Sequence, residues 1–222
     1  EMTKNNRLIP LEKFGIKVMS FGFISGNDTP VIWRGPLVSR MTEQFFKDVE
    51  WGELDFLILD LPPGTGDVQL TLTQKLRISG AIIVTTPQDI ALSDVRKGAD
   101  MFEKVKTPIL GVIENMSGFV IDGVIKSPDG EMLNGGDIHL SDGSNLKISS
   151  AGDFEIKLDL FKKGGGASES KRLNIPLLGQ IPISGDIVDS TDSGTPIVQE
   201  KPNHKTSKIY ISIIDKIISM LN

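Results

Sequence analysis

Residues 54–67, running from Leu54 through Asp60 to Asp67, constrain the fold more than any other stretch. Phe56 to Leu59 is an unbroken apolar run of strand length, which suits a strand covered on both faces of a parallel sheet. Asp60 follows at the carboxyl end of that run, where open α/β sheets bind ligands and where a carboxylate can hold magnesium through water. Pro62, Pro63, Gly64 and Gly66 then break regular structure, and the two glycines let the backbone approach a phosphate. Asp67 is placed to cap a following helix through Leu76. A strand, a turn and a capped helix without chemistry would carry the same pattern.

The rest of the chain repeats the alternation. Residues 16–23 are strand-like, and Gly35-Pro36 opens a helical pattern in which Leu37, Met41, Phe45 and Val49 share a face. Strands are expected at 81–86, 109–114 and 176–181, and helices at 93–105, 168–173 and 205–221, with Ile209, Ile213, Ile217 and Met220 of the last one packed on the sheet. Strands alternating with helices predict βαβ crossovers, a parallel sheet flanked by helices and an α/β fold. Between Phe119 and Phe161 the period switches to two, with turns at Pro128-Asp129-Gly130, Asp142-Gly143 and Gly152-Asp153. Phe154, Ile156, Leu158 and Leu160 alternate on one face, so residues 119–163 read as a β-hairpin or meander segment inserted into a single domain of residues 1–222.

Composition narrows the function classes. A chain of 222 residues with 39% hydrophobic content buries a substantial core, and a net charge of −5 argues against a generic nucleic-acid binder. No apolar run is long enough to span a bilayer and the N-terminus lacks signal-peptide order, so a cytoplasmic protein without a membrane partner is expected. There is no cysteine, which rules out disulfides, a thiol nucleophile and thiolate-bound metal on this polypeptide. Asp137, His139 and Asp142 offer other ligands, but their spacing beside Gly143 is better explained by a solvated hairpin face.

Five blocks, in this order, resemble the later part of the Mrp/ApbC family, which are MinD-like (SIMIBI-class) P-loop ATPases acting as iron–sulfur cluster carriers. They are Thr29 to Pro36, Asp60 to Asp67, Val84 to Asp89, Ile113 to Ser117, and Pro176 to Pro182. The resemblance implies an ATP hydrolase with Asp60 as the Walker B carboxylate near magnesium. It also implies that Pro62, Pro63, Gly64 and Gly66 form the segment sensing the γ-phosphate, with Gly64 and Asp60 at the reacting end. Asn115 matches the position whose side-chain amide reads the adenine edge, and the backbone at Pro182 would line the other side of the base. Asn115 could instead simply stop a strand, and Pro182 could be only a turn former. Arg34 suits a phosphate or a surface ion pair equally, and Trp33 suits packing.

Two departures from the family matter. No G-K-G-G-x-G-K-[ST] phosphate loop occurs in these residues; Lys162 to Ala167, with three glycines, is a superficial echo that lacks the terminal lysine and hydroxyl. ATP would therefore lose most of its phosphate contacts, and hydrolysis by this chain alone is not expected. The sheet would also lack a central strand, so the residues are expected to be a fragment of a longer protein, or to need a homodimeric or separate partner chain supplying the phosphate-loop half. The second departure is at the family's C-x-x-C motif, where Ile121 and Val124 stand at the aligned positions and cannot bind iron. A cluster, if carried to a client apo-protein, would need ligands from elsewhere. Two alternatives follow: a MinD/ParA-like switch ATPase without a cluster, or a non-hydrolysing interaction module acting through the β insertion.

Overall fold

The computed structural model describes residues 7–20, 22–25, 44–61, 69–70, 72–73, 76–133, 135–141, 143, 145–161 and 163–222. They form two compact units, one of Glu1–Ile78 with Asp100–Thr107 and the other of Ser79–Ala99 with Pro108–Asn222.

In the first unit, β1 (Leu11–Lys13) and β2 (Ile16–Val18) make an antiparallel hairpin in which Leu11 faces Val18 and Lys13 faces Ile16. Its two-residue turn places Phe14 and Gly15 at φ 54° and 73°, the left-handed pair that matches strand twist. The strand expected over 16–23 therefore ends at Val18, and a single helical turn follows at Gly22–Ser25. Residues 44–47 are helical, whereas Val49, expected on the same helix face, is fully buried in a parallel bridge to Leu8.

Residues 54–60, expected as a buried strand, form none. Leu54, Phe56, Leu57 and Ile58 are exposed, Ile58 by 87%. An apolar run becomes a strand only when neighbours take its N–H and C=O groups, and no ladder partner for it lies among the described residues.

The second unit is the α/β layer structure. β3 (Ala81–Thr85), β4 (Ile109–Glu114) and β9 (Leu177–Gln180) are parallel in the order β3-β4-β9. α1 (Asp89–Lys104) is the crossover from β3 to β4, and it starts four residues before the expected 93 with Asp89 in its first turn. On one face Ile83, Ala99 and Val112 pack with Val95, Ile109, Leu173, Ile175 and Leu177. On the other, Leu178, Ile181 and Ile213 pack with Ile113, Ile187, Ile209, Tyr210 and Ile217.

Between β4 and β9 the chain leaves the sheet. β5 (Phe119–Val124) pairs antiparallel with β8 (Asp153–Leu158), and β6 (Gly136–His139) pairs with β7 (Asn145–Ile148). The expected hairpin or meander segment takes the form of nested hairpins, in which Phe119 opposes Leu158 and Ile121 opposes Ile156. α2 (Gly165–Leu173) returns the chain to β9. Its Glu169 has no exposure and accepts from Arg172 Nε at 2.5 Å and Arg96 Nε at 3.2 Å, which ties α2 to α1.

Two further helices, α3 (Gly185–Asp192) and α4 (Ile197–Glu200), lead to α5 (Lys205–Leu221), whose bounds match the expectation. His204 caps α5, its ring Nδ1 accepting from the Thr206 N–H. Ile209, Ile213 and Ile217 pack as expected, but Met220 is exposed. Seventeen helical residues extend ~25 Å, past the ~13 Å covered by the four residues of β9 beneath them.

Candidate functional site

The site is built at the carboxyl ends of β4 and β9. Hydrogen bonding continues past both strands: Ile181 N–H donates to Glu114 O at 2.8 Å, Ser117 N–H to Ile181 O at 2.9 Å, and Ile183 N–H to Gly118 O at 2.8 Å. The Asn115 N–H donates to Thr85 O at 2.7 Å, which joins the end of β3 to the same edge. Asn115 and Pro182, expected on opposite sides of a base, are thereby brought onto adjacent parallel segments. Met116 and Gly118 have φ of 55° and 79°, so the chain bends sharply just beyond Asn115. The Asn115 Oδ1 accepts from the Met116 N–H at 2.9 Å, and its amide nitrogen has no partner among the described residues. That leaves the side chain a donor and a second oxygen lone pair.

Directly before Asn115, Glu114 is 1% exposed and fully bonded. Its Oε1 accepts from Ser117 Oγ and Gln180 Nε2, each at 2.6 Å, and its Oε2 accepts from the Gly166 N–H at 2.5 Å. Each of the three glycines that echo a phosphate loop has its own local reason. Gly164 takes φ 77° at the N-cap of α2, and a Cβ on Gly165 would lie 2.8 Å from Pro87 O. One on Gly166 would lie 2.8 Å from the Glu114 Cβ. A helix N-terminus suits an anion, and here an internal carboxyl fills the place a phosphate would take.

The other expected site residues stand elsewhere. Asp60 is exposed in the first unit, and Pro62, Pro63, Gly64 and Gly66 lie outside the described residues. The described residues thus bring Asn115 and Pro182 to one edge, and no cradle for phosphates lies among them. Among them no group of three His, Cys, Asp or Glu side chains could hold a metal ion. His139 Nδ1 contacts Asn145 Oδ1 at 2.6 Å on the exposed β6–β7 hairpin, where Asp137 faces Lys147. No described helix is long and apolar enough to cross a membrane.

Two charge clusters lie outside this edge. Lys205, at the start of α5, donates to Asp122 at 2.5 Å and to Glu155 at 2.9 Å, and its presence lowers the Asp122 pKa while its own rises. Asp186 pairs with Lys201, which holds its carboxyl below the usual range, with His204 3.4 Å away as a smaller influence. Glu114 escaped sequence reasoning as a site residue. Its signal was present as an acidic side chain closing the apolar run of β4.

A family model described as NUBPL iron-transfer P-loop NTPase matches residues 1–129 and 144–218. The chain belongs to this family. The gap in the match, 130–143, lies within the nested hairpins and includes β6. An iron-sulfur cluster carrier protein of Aquifex aeolicus is 40% identical over 216 residues, 97% of this chain and 51% of that protein. A nucleotide-binding protein of Archaeoglobus fulgidus, solved in complex with ADP, is 30% identical with a TM-score of 0.58, covering 87% of this chain and 63% of the other. The cell division ATPase MinD of Pyrococcus furiosus, at 20% identity and a TM-score of 0.51, covers 82% of this chain and 59% of its own, and shares the fold. The chain spans about half the length of the curated carrier proteins it matches.

Proposed function

We propose that this chain is the Walker B and base-reading part of an ATP-binding iron–sulfur cluster carrier of the Mrp type. What supports the reading is the position of Asn115 and Pro182 on adjacent parallel segments, joined through Ile181, in a member of an iron-transfer NTPase family, one relative of which was solved with ADP. In this reading Asn115 and Pro182 hold adenine, Asp60 holds magnesium through water, and Pro62, Pro63, Gly64 and Gly66 sense the γ-phosphate. The phosphate loop is contributed from outside these 222 residues, by a longer polypeptide, a homodimer mate or a second chain. ATP hydrolysis depends on that contribution, and the cluster is cargo passed to a client apo-protein in the cytoplasm.

The second reading, a switch ATPase or an interaction module without a cluster, is favoured by one observation: the sequence contains no cysteine, and Ile121 and Val124 stand on β5. Anaerobic reconstitution with ferrous iron and sulfide, followed by desalting, separates the two. Retained iron with visible cluster absorption is the expected result when the chain is reconstituted together with the polypeptide that supplies the phosphate loop, and no retained cluster is expected on the cysteine-free chain alone. Complete loss of iron from a complex that still binds fluorescent ADP would transfer the proposal to the second reading.

A further inference from the structure

We infer that Glu114 is a positioning residue that fixes Asn115 and anchors both roots of the nested hairpins to the base-reading loop. The inference rests on the reading of Asn115 given above. Three donors converge on this one buried carboxyl from three separate segments: Ser117 in the loop after β4, Gly166 in the first turn of α2, and Gln180 at the end of β9. A buried carboxyl is tolerated only when its oxygens are bonded; Oε2 depends on the Gly166 N–H, and Oε1 shares Ser117 and Gln180. With no room for a Cβ at Gly166, the carboxyl and the helix N-terminus are in direct contact.

The consequence for Asn115 is steric and local. Its own N–H is held by Thr85 O, and Ser117 is held twice, by Ile181 O through its N–H and by Glu114 through its hydroxyl. Residues 115–117 therefore cannot swing without breaking a bond inside the protein. Ser117 lies two residues before β5 begins, and Gly165 opens α2 after the hairpins end. One side chain thus sets the base-reading loop and both attachment points of the 119–161 segment. An ordinary packing residue would stabilise the unit evenly; this arrangement makes the effect of Glu114 local to the loop.

The test uses the 222-residue chain, ¹⁵N-labelled and paired with an unlabelled polypeptide carrying the phosphate-loop half of a family member, with Glu114→Gln as the first variant. Glutamine keeps the shape but turns an N–H donor toward one of the three existing donors. The expected result is an acceleration of about tenfold in hydrogen exchange at the Ser117 and Met116 amides, with the Val112 and Gly179 amides unchanged. The Asn115 side-chain amide signals are expected to shift toward those of a free asparagine. Ser117→Ala removes a single donor, leaves the rest of the network, and carries the same test with a smaller amplitude if the Glu114 variant does not fold. Unchanged exchange at Ser117 and Met116, or an equal rise at Val112 and Gly179, overturns the positioning role. A parallel titration compares fluorescent ADP with fluorescent GDP. If Asn115→Ala leaves the ADP preference intact, the base reading fails, while the exchange data still decide whether Glu114 holds the loop.

Discussion

At the scale of single residues, the glycines of this chain divide by what surrounds them. Gly165 has the backbone of Pro87 against it, with the carbonyl oxygen 2.8 Å and Cα 3.0 Å from where a Cβ would be, and main chain cannot turn aside as a side-chain tip can. Gly98, in the middle of α1, would meet nothing within 4 Å. Alanine at the two positions should therefore act in opposite directions. Gly98→Ala is expected to raise stability by ~0.5–1 kcal/mol through helix propensity and a less flexible unfolded chain. Gly165→Ala is expected to lower it by ~1–3 kcal/mol through overpacking. Urea denaturation of both variants, each paired with the phosphate-loop half of a family member, checks this, and equal effects at the two sites would refute the packing argument. The contrast also marks a limit of sequence reading. Gly164 to Gly166 read as a phosphate-loop echo because the run is local, whereas its partners Pro87 and Glu114 are far away along the chain. The place of Asn115 just after β4 was legible because its block stands intact at the end of an apolar run.

At the scale of elements, β3, β4, β9 and α5 were legible because their apolar periodicity is a property of each segment alone. Residues 54–60 carry an equally clear pattern and form no strand, since a strand also needs a neighbour. The same limit hid the nesting of the hairpins, because alternation fixes which residues share a face but not which strand pairs with which. The hairpins are held to α5 by Lys205, and this contact sits where Asp122 and Glu155 oppose each other across β5 and β8. Like charges directly opposite repel, so the ammonium offsets a conflict built into the register. Asp122 has a folded pKa below its ordinary 3.8, so its contribution is present above that value and disappears as pH falls through the folded one. Lys205 is raised above its ordinary 10.5, so its contribution is complete below that value and is lost as pH rises through the folded one. The contact should hold from about pH 4 to about pH 10 and weaken in high salt, because all three groups are exposed. In Lys205→Met the Asp122 carboxyl titration, followed by ¹³C shifts, is expected to move up to or above the ordinary value. A midpoint unchanged from the wild type would show that the lysine does not set it.

At the scale of the whole molecule, the proposed ATPase cycle has a requirement that the 222 residues do not meet. Ile82 and Val84 are exposed on β3, a strand whose outer edge has no partner among the described residues, and Leu54 to Ile58 are exposed and unpaired. Parallel sheets with apolar residues on both faces are ordinarily covered on both, so these surfaces favour the addition of further chain. The 222-residue chain expressed alone is therefore expected to associate, and to melt without a sharp cooperative transition. Supplying the phosphate-loop half of a family member as a second polypeptide should give a monodisperse complex with a cooperative transition. That complex should release phosphate from ATP in a manner abolished by Asp60→Asn. Light scattering, calorimetry and phosphate release measure the three outcomes. Deleting residues 121–160 then locates the associating surface: unchanged association assigns it to the sheet edge and the 54–58 run, and its loss assigns it to the hairpins. A stable monomer of the 222 residues with a sharp thermal transition would overturn the requirement, because its exposed strand edge would then be an ordinary edge and the phosphate loop would have no evident place to enter.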